Sequence, residues 1–369
     1  MDTDLLRLPR SSLDALLAAL RDQGYVCVGP VVRDEAIVYR PLSDASDLPH
    51  GWQDHQAPGL YRLEQRDSAR AFSWAVGPQA LKPMSFAPRE TLWRASRGDD
   101  GQIEFQQVKP ETQPTAIIGV RACDLAALRL QDRHFMEGPY RDPYYANRRE
   151  GLFLVAVHCS APAETCFCAS TGDGPHASHG YDLAMYETDQ GYLIQAGTGS
   201  GAAILAELEL EPADPEEQRA AEDEVHAAAA AQTRTLPDRS LRRELFDNLD
   251  HPQWIDVAGR CLSCGNCTAV CPTCFCHAES DDPALDGKTS AHHREWGSCF
   301  TLQHSYVGGF VPRSDTRLRY RQWLTHKLGS WHDQYGRSGC VGCGRCITWC
   351  PVGIDLTDEA PKICSGAST

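Results

Sequence analysis

The sequence predicts an α+β protein: an N-terminal α/β domain over residues 1–235, a linker and helix over 236–250, and a mostly helical C-terminal domain over 251–369. Three observations lead there. Thr115–Val120 and Leu152–Val157 are short apolar, β-branched runs with the length of buried strands. Residues 251–369 carry 11 Lys+Arg against 11 Asp+Glu, so the whole net charge of −15 falls on 1–250. Finally, the last third of the chain repeats one four-cysteine pattern, at 261–271 and again at 340–350.

From the N-terminus, Leu13, Leu16, Leu17 and Leu20 share one helical face, with Ser12 placed to cap the helix and Gly24 to end it. Strand-like runs at 25–32 and 36–39 follow, and the Pro-, Gly- and Trp-rich stretch 43–113 predicts no clear topology. Beyond Thr115–Val120, Leu125 and Leu128 open a helical pattern. Cys123 and Cys159 then fall just past the carboxyl ends of the two predicted strands, the edge where ligands collect in open α/β sheets. An Ala-rich acidic helix is expected over 214–232 and a second helix over 240–249, with a linker at 235–238 between them. The acidic run from Glu207 to Glu224 reads as a solvated face.

Composition excludes several classes. Hydrophobic content of 42% and charged content of 23% are those of an ordinary globular protein. The longest strongly apolar run, 152–157, is too short for membrane insertion, and the start shows no leader pattern, so a cytoplasmic protein is expected. The acidity argues against nucleic-acid binding. Seventeen cysteines in a reducing compartment point to metal rather than disulfides. Gly197-Thr-Gly-Ser-Gly-Ala202 matches G-x-G-x-x-A but reads as a plain Gly-rich turn, which leaves a self-sufficient flavin reductase poorly supported. A stand-alone redox sensor would need a basic recognition helix, which is missing.

The cysteine repeats carry the chemistry. Cys261, Cys264, Cys267 and Cys271-Pro272 have the spacing C-x2-C-x2-C-x3-C-P, and Cys340, Cys343, Cys346 and Cys350-Pro351 repeat it. Three closely spaced thiolates wrap one cubane, while the fourth lies too far along and ligates the other cluster in two-cluster ferredoxins. One [4Fe–4S] cluster is therefore assigned to Cys261, Cys264, Cys267 and Cys350, and a second to Cys340, Cys343, Cys346 and Cys271. Zinc needs neither the third step nor the doubled pattern. The 68 residues between the repeats show little β alternation, so a helical dicluster ferredoxin domain is expected, with a helix at 317–328. Arg313, Arg317, Arg319, Arg321 and Lys327 either offset cluster charge or form a solvated face.

Cys159, Cys166 and Cys168 share one loop, and with Cys123 they supply four thiols, enough for a third [4Fe–4S] cluster. Cys274, Cys276 and Cys299 are three further thiols without a fourth and stay unassigned. Cys27 reads as core and Cys364 as tail. Trp349, Ile347 and Phe275 would keep water from the clusters.

Gly119-Val-Arg-Ala-Cys-Asp-Leu-Ala-Ala-Leu128, residues 159–175, Gly180-Tyr-Asp-Leu-Ala184, residues 261–276 and residues 339–355 together resemble the β subunit of cytosolic sulfhydrogenases, the NADP-linked [NiFe] hydrogenases. They also resemble the A subunit of anaerobic sulfite reductase. The resemblance implies an electron-transfer subunit working beside an FAD- and NAD(P)H-binding subunit. The other partners implied are the small and large subunits of a [NiFe] hydrogenase, or a sirohaem sulfite reductase subunit. Trp349-Cys-Pro-Val-Gly-Ile-Asp355 and Arg317-Leu-Arg-Tyr-Arg321 lean toward the hydrogenase branch.

Overall fold

A computed structural model describes residues 5–79, 81–110, 112–237 and 241–365. Its centre is an eight-stranded mixed sheet. The order across it is Glu211–Pro212, Leu6–Pro9, Gly191–Ala196, Leu183–Thr188, Leu152–Val157, Thr115–Val120, Val26–Arg33 and Ala36–Pro41. Leu183–Thr188, Leu152–Val157, Thr115–Val120 and Val26–Arg33 pair in parallel, and the remaining pairings are antiparallel. Both strands expected from apolar runs are therefore side by side. Their side chains are almost wholly buried on both faces, which is why neither shows alternation.

Leu13–Asp22 forms the first helix and buries Leu13, Leu16, Leu17 and Leu20 against this sheet. Ser12 does not cap it through its side chain, because a 3-10 turn over Arg10–Ser12 already leads into the helix. Gly24, at φ +87°, closes its end. The acidic helix spans Pro215–Ala230 with Asp214 as its cap, and Glu217 and Glu224 of this exposed face pair with Arg7 and Arg70. The next helix is Leu241–Asp247, and the linker expected at 235–238 runs into residues outside the described ones. The Gly197 loop leads from a strand into the helix Gly199–Ala206. A Cβ at Gly201 would come within 2.0 Å of the Asp182 carbonyl oxygen, so close packing accounts for that glycine.

The stretch 43–113 contains two elements that the sequence did not reveal. One is the hairpin Trp52–Ala57/Leu60–Gln65. The other is the strand pair Arg89–Arg97/Ile103–Gln107, which joins a second hairpin, His277–Pro283/Thr289–Trp296, in a four-stranded antiparallel sheet. The region between the cysteine repeats thus holds β structure where only helices were expected, and its partner strand lies far back in the chain at Arg89–Arg97. The expected helix at 317–328 is Thr316–Thr325, prolonged by a π turn over His326–Ser330 and the short helix Trp331–Tyr335. Cys27 lies in the core, as expected. Cys364 is no tail: it ends the helix Leu356–Cys364 and packs among Leu241, Trp254 and Ile363.

Candidate metal centre

The two cysteine repeats fold into the same loop. Cys261 terminates the helix Gln253–Arg260. Ser263 (φ +51°) and Gly265 (φ +79°) then turn the chain left-handed before the one-turn helix Asn266–Ala269. In the second repeat Gly342 (φ +63°) and Gly344 (φ +74°) do the same before Arg345–Thr348. The turn points the backbone N–H two residues on at the first cysteine: Ser263 N donates to Cys261 Sγ at 3.4 Å, and Gly342 N to Cys340 Sγ at 3.5 Å. Such N–H···S contacts favour the thiolate and, with metal bound, set its potential.

Each fourth cysteine has thiol neighbours in the other repeat. Cys350 lines one cavity with Cys261, Cys264, Cys267 and Cys346, closed by Phe300, Tyr320 and Trp323. Its Sγ accepts from Ile354 N at 3.3 Å. Cys271 is instead an electrostatic neighbour of Cys340, Cys343 and Cys346. A hydrogen bond from Cys274, the Lys327 ammonium at 3.3 Å and Thr273 hold the Cys271 thiol well below its ordinary pKa. Burial pushes Cys261, Cys267, Cys343 and Cys346 up, and Cys340 to about 12. Metal binding at these thiols must therefore expel protons.

Cys159, Cys166 and Cys168 lie together at the carboxyl edge of the large sheet. Burial raises all three thiols, Cys168 to about 12, and Cys166 and Cys168 further feel each other or Cys159. Cys123, in the first turn of Ala122–Phe135, faces Cys343 and Cys168 and joins Cys166, Cys168 and Cys343 in one buried cluster. This loop is laid directly on the second repeat. Phe167 N donates to Gly342 O at 2.8 Å, and a Cβ at Gly342 or Gly344 would meet the backbone of Cys168 at 2.5 Å or of Thr165 at 2.4 Å. Arg345, 1% exposed, locks the junction by gripping both Asp124 oxygens at 2.7 and 2.9 Å.

Donors left without partners test whether these thiol groups fit iron–sulfur clusters. Tyr320 Oη and Trp323 Nε1 are buried, have no partner among the described residues, and belong to side chains lining the first cavity. Trp331 Nε1 is orphaned in the cluster that holds Cys123, Cys166, Cys168 and Cys343. Arg121, 1% exposed, donates to the carbonyls of Ala75, Phe72 and Trp74, yet its Nη1 has no partner and it faces Cys159. Buried donors and a cation of this kind suit an anionic, sulfide-rich group. The residues fit. No three His, Cys, Asp or Glu side chains among the described residues converge tightly enough for a single ion.

Sequence reasoning left the basic residues open between offsetting cluster charge and forming a solvated face. Lys327 is buried against Cys271, which fits the first alternative. Arg319 is buried too and donates to the Arg313, Phe300 and Ser314 carbonyls, whereas Arg321 reaches Leu249 O. Tyr320 was unmarked. Ile347 is buried, Trp349 packs at a tilt against Tyr61 with ring centroids 5.0 Å apart, and Phe275 packs at 5.3 Å against Trp331.

Among known proteins, the 4Fe–4S dicluster domain family matches residues 260–354. Sulfhydrogenase 2 subunit beta of Pyrococcus furiosus is 30% identical over 317 residues, covering 83% of this chain and 90% of the relative. No solved structure matches. Among the described residues no helix is long and apolar enough to cross a membrane.

Proposed function

The chain belongs to the sulfhydrogenase β-subunit family and is an iron–sulfur electron-transfer subunit; from that premise we propose that it relays electrons between an FAD- and NAD(P)H-binding subunit and the small and large subunits of a [NiFe] hydrogenase in the cytoplasm. Cys261, Cys264, Cys267 and Cys350 hold one [4Fe–4S] cluster, Cys340, Cys343, Cys346 and Cys271 a second, and Cys123, Cys159, Cys166 and Cys168 a third. The observation that carries the reading is the pair of like loops, each with the other repeat's fourth cysteine among its thiol neighbours.

Bound there, clusters supply one-electron storage at potentials within roughly −700 to +450 mV. The chain does the rest. Its thiolates fix iron, its N–H, O–H and ammonium donors set how readily each site accepts charge, and its aromatic side chains exclude water. No general acid or base is needed, because outer-sphere transfer breaks no substrate bond. Cys264 is the exposed cysteine of the first site, three of the second site's four cysteines are buried, and the third loop lies against the second. That order suits a relay from surface to interior.

Anaerobic purification of the chain with its native partners tests the assignment. Recovery of a nucleotide-binding flavoprotein and [NiFe] subunits is expected. Recovery of a sirohaem protein in their place would transfer the chain to a sulfite-reducing complex.

A further inference from the structure

Five thiols remain outside the twelve used above; Cys27 and Cys364 sit in apolar clusters, and the other three lie beside two buried cations. Cys274 and Cys276 follow the first repeat directly. Cys299 lies far along the chain, but the hairpin His277–Pro283/Thr289–Trp296 returns it: His277 is registered with Trp296, and Gly297 N donates to Cys276 O at 2.8 Å. Cys276 is the first charged neighbour of Cys299. Cys274 and Cys276 both line an open cleft of about 520 Å³ with Lys82, Trp296 and Ser298.

The cations give the second observation. Lys82 and Lys327 are each 4% exposed. Lys82 donates to the carbonyl oxygens of Thr268 and Ala269 at 3.3 and 3.1 Å and stands 3.8 Å from the Trp296 ring centroid. Lys327, carried on the π turn, donates to Cys271 Sγ and to Thr273 Oγ1 at 2.8 Å. A π turn is a costly local geometry that proteins keep mostly at functional sites. The chief acidic groups facing these lysines are thiols: Cys274, Cys271 and Cys276 around Lys82, and Cys271, Cys274 and Cys340 around Lys327. Two ammonium groups buried near each other, with thiols as their foremost acidic neighbours, are strongly unfavourable unless an anion lies between or beside them. The second site supplies one such anion through Cys271. Lys82 faces Cys274 first and lines the cleft.

We propose that Cys274, Cys276 and Cys299 hold a further iron–sulfur cubane through three thiolates of this chain, its fourth iron facing the cleft and taking water or another small ligand. The inference builds on the cluster-bearing role proposed above and adds a site to it.

Native mass spectrometry of the anaerobically reconstituted full-length chain counts cubanes without any substitution. Four per chain are expected. The triple variant Cys274→Ser/Cys276→Ser/Cys299→Ser then loses one cubane and keeps three. Cyanide, which binds an iron lacking a protein ligand, shifts one EPR signal of the wild-type chain and none of the variant's. A wild-type chain with two or three cubanes, or a triple variant that keeps all four, overturns the inference and leaves the proposed function standing. A chain that takes up none overturns both.

Discussion

The two cysteine loops share a backbone path and differ in almost everything around it. In the first, Cys264 and Asn266 are exposed, and Leu262 is 63% exposed. In the second, the residues at the same positions, Cys343, Arg345 and Val341, are all buried. Arg345 replaces Asn266 and reaches into the α/β domain, where the third cysteine loop presses on Gly342 and Gly344. One motif thus serves two purposes. The spacing sets how iron is held, and the flanking residues decide whether the site meets solvent or joins two halves of the molecule.

The comparison can be broken most strongly at its ion pair. Arg345→Ala leaves Asp124 buried and uncompensated and should cost about 3–5 kcal/mol in anaerobic denaturant unfolding. Its counterpart Asn266→Ala, whose Nδ2 makes one 3.3 Å bond to Trp349 O, should stay within about 0.5 kcal/mol. Equal effects would erase the distinction. The paired glycines come next. Gly265→Ala meets Ser298 Oγ at 3.2 Å, which can move, and so should cost only the left-handed backbone penalty of about 1–2 kcal/mol. Gly344→Ala meets fixed backbone at 2.4 Å and should cost more than that on the same assay.

Potential sharpens the contrast further. Lys327 donates to Cys271 of the second site, and no lysine makes a corresponding bond at the first among the described residues. Lys327→Gln should lower the potential of one cluster and leave the first unchanged, as read by EPR-monitored redox titration. A uniform shift would argue against a local contact. The smallest effect expected is on pH dependence. Burial lowers His134 and His326, both flanking the second half, to about 4. Neutral in the fold but basic near pH 6.5 when unfolded, they make stability decline as pH falls from about 6.5 toward about 4. His134→Gln should flatten that decline in urea midpoints, and an unchanged slope would remove His134 from the account.

The metal-binding loops were legible in the sequence because ligand spacing is local: three cysteines within one turn of chain state their purpose without tertiary help. The buried parallel strands were legible from their apolar runs. The His277–Pro283/Thr289–Trp296 hairpin was not, since its residues are largely polar and its first strand is mostly exposed, with no apolar face to alternate. Its partner Arg89–Arg97 lies about two hundred residues away, and no local pattern reports such a pairing. Lys327 was left undecided for a related reason. A lysine on a helix with several arginines can offset cluster charge or face solvent, and the buried π turn decides between them.

The most direct test of the central claim compares Cys264→Ala and Cys343→Ala in the purified complex, one from each loop. Electron flow from NAD(P)H to an acceptor and iron content per chain are measured together. The account predicts that either substitution abolishes electron flow. Full activity with full iron content in either variant would contradict it.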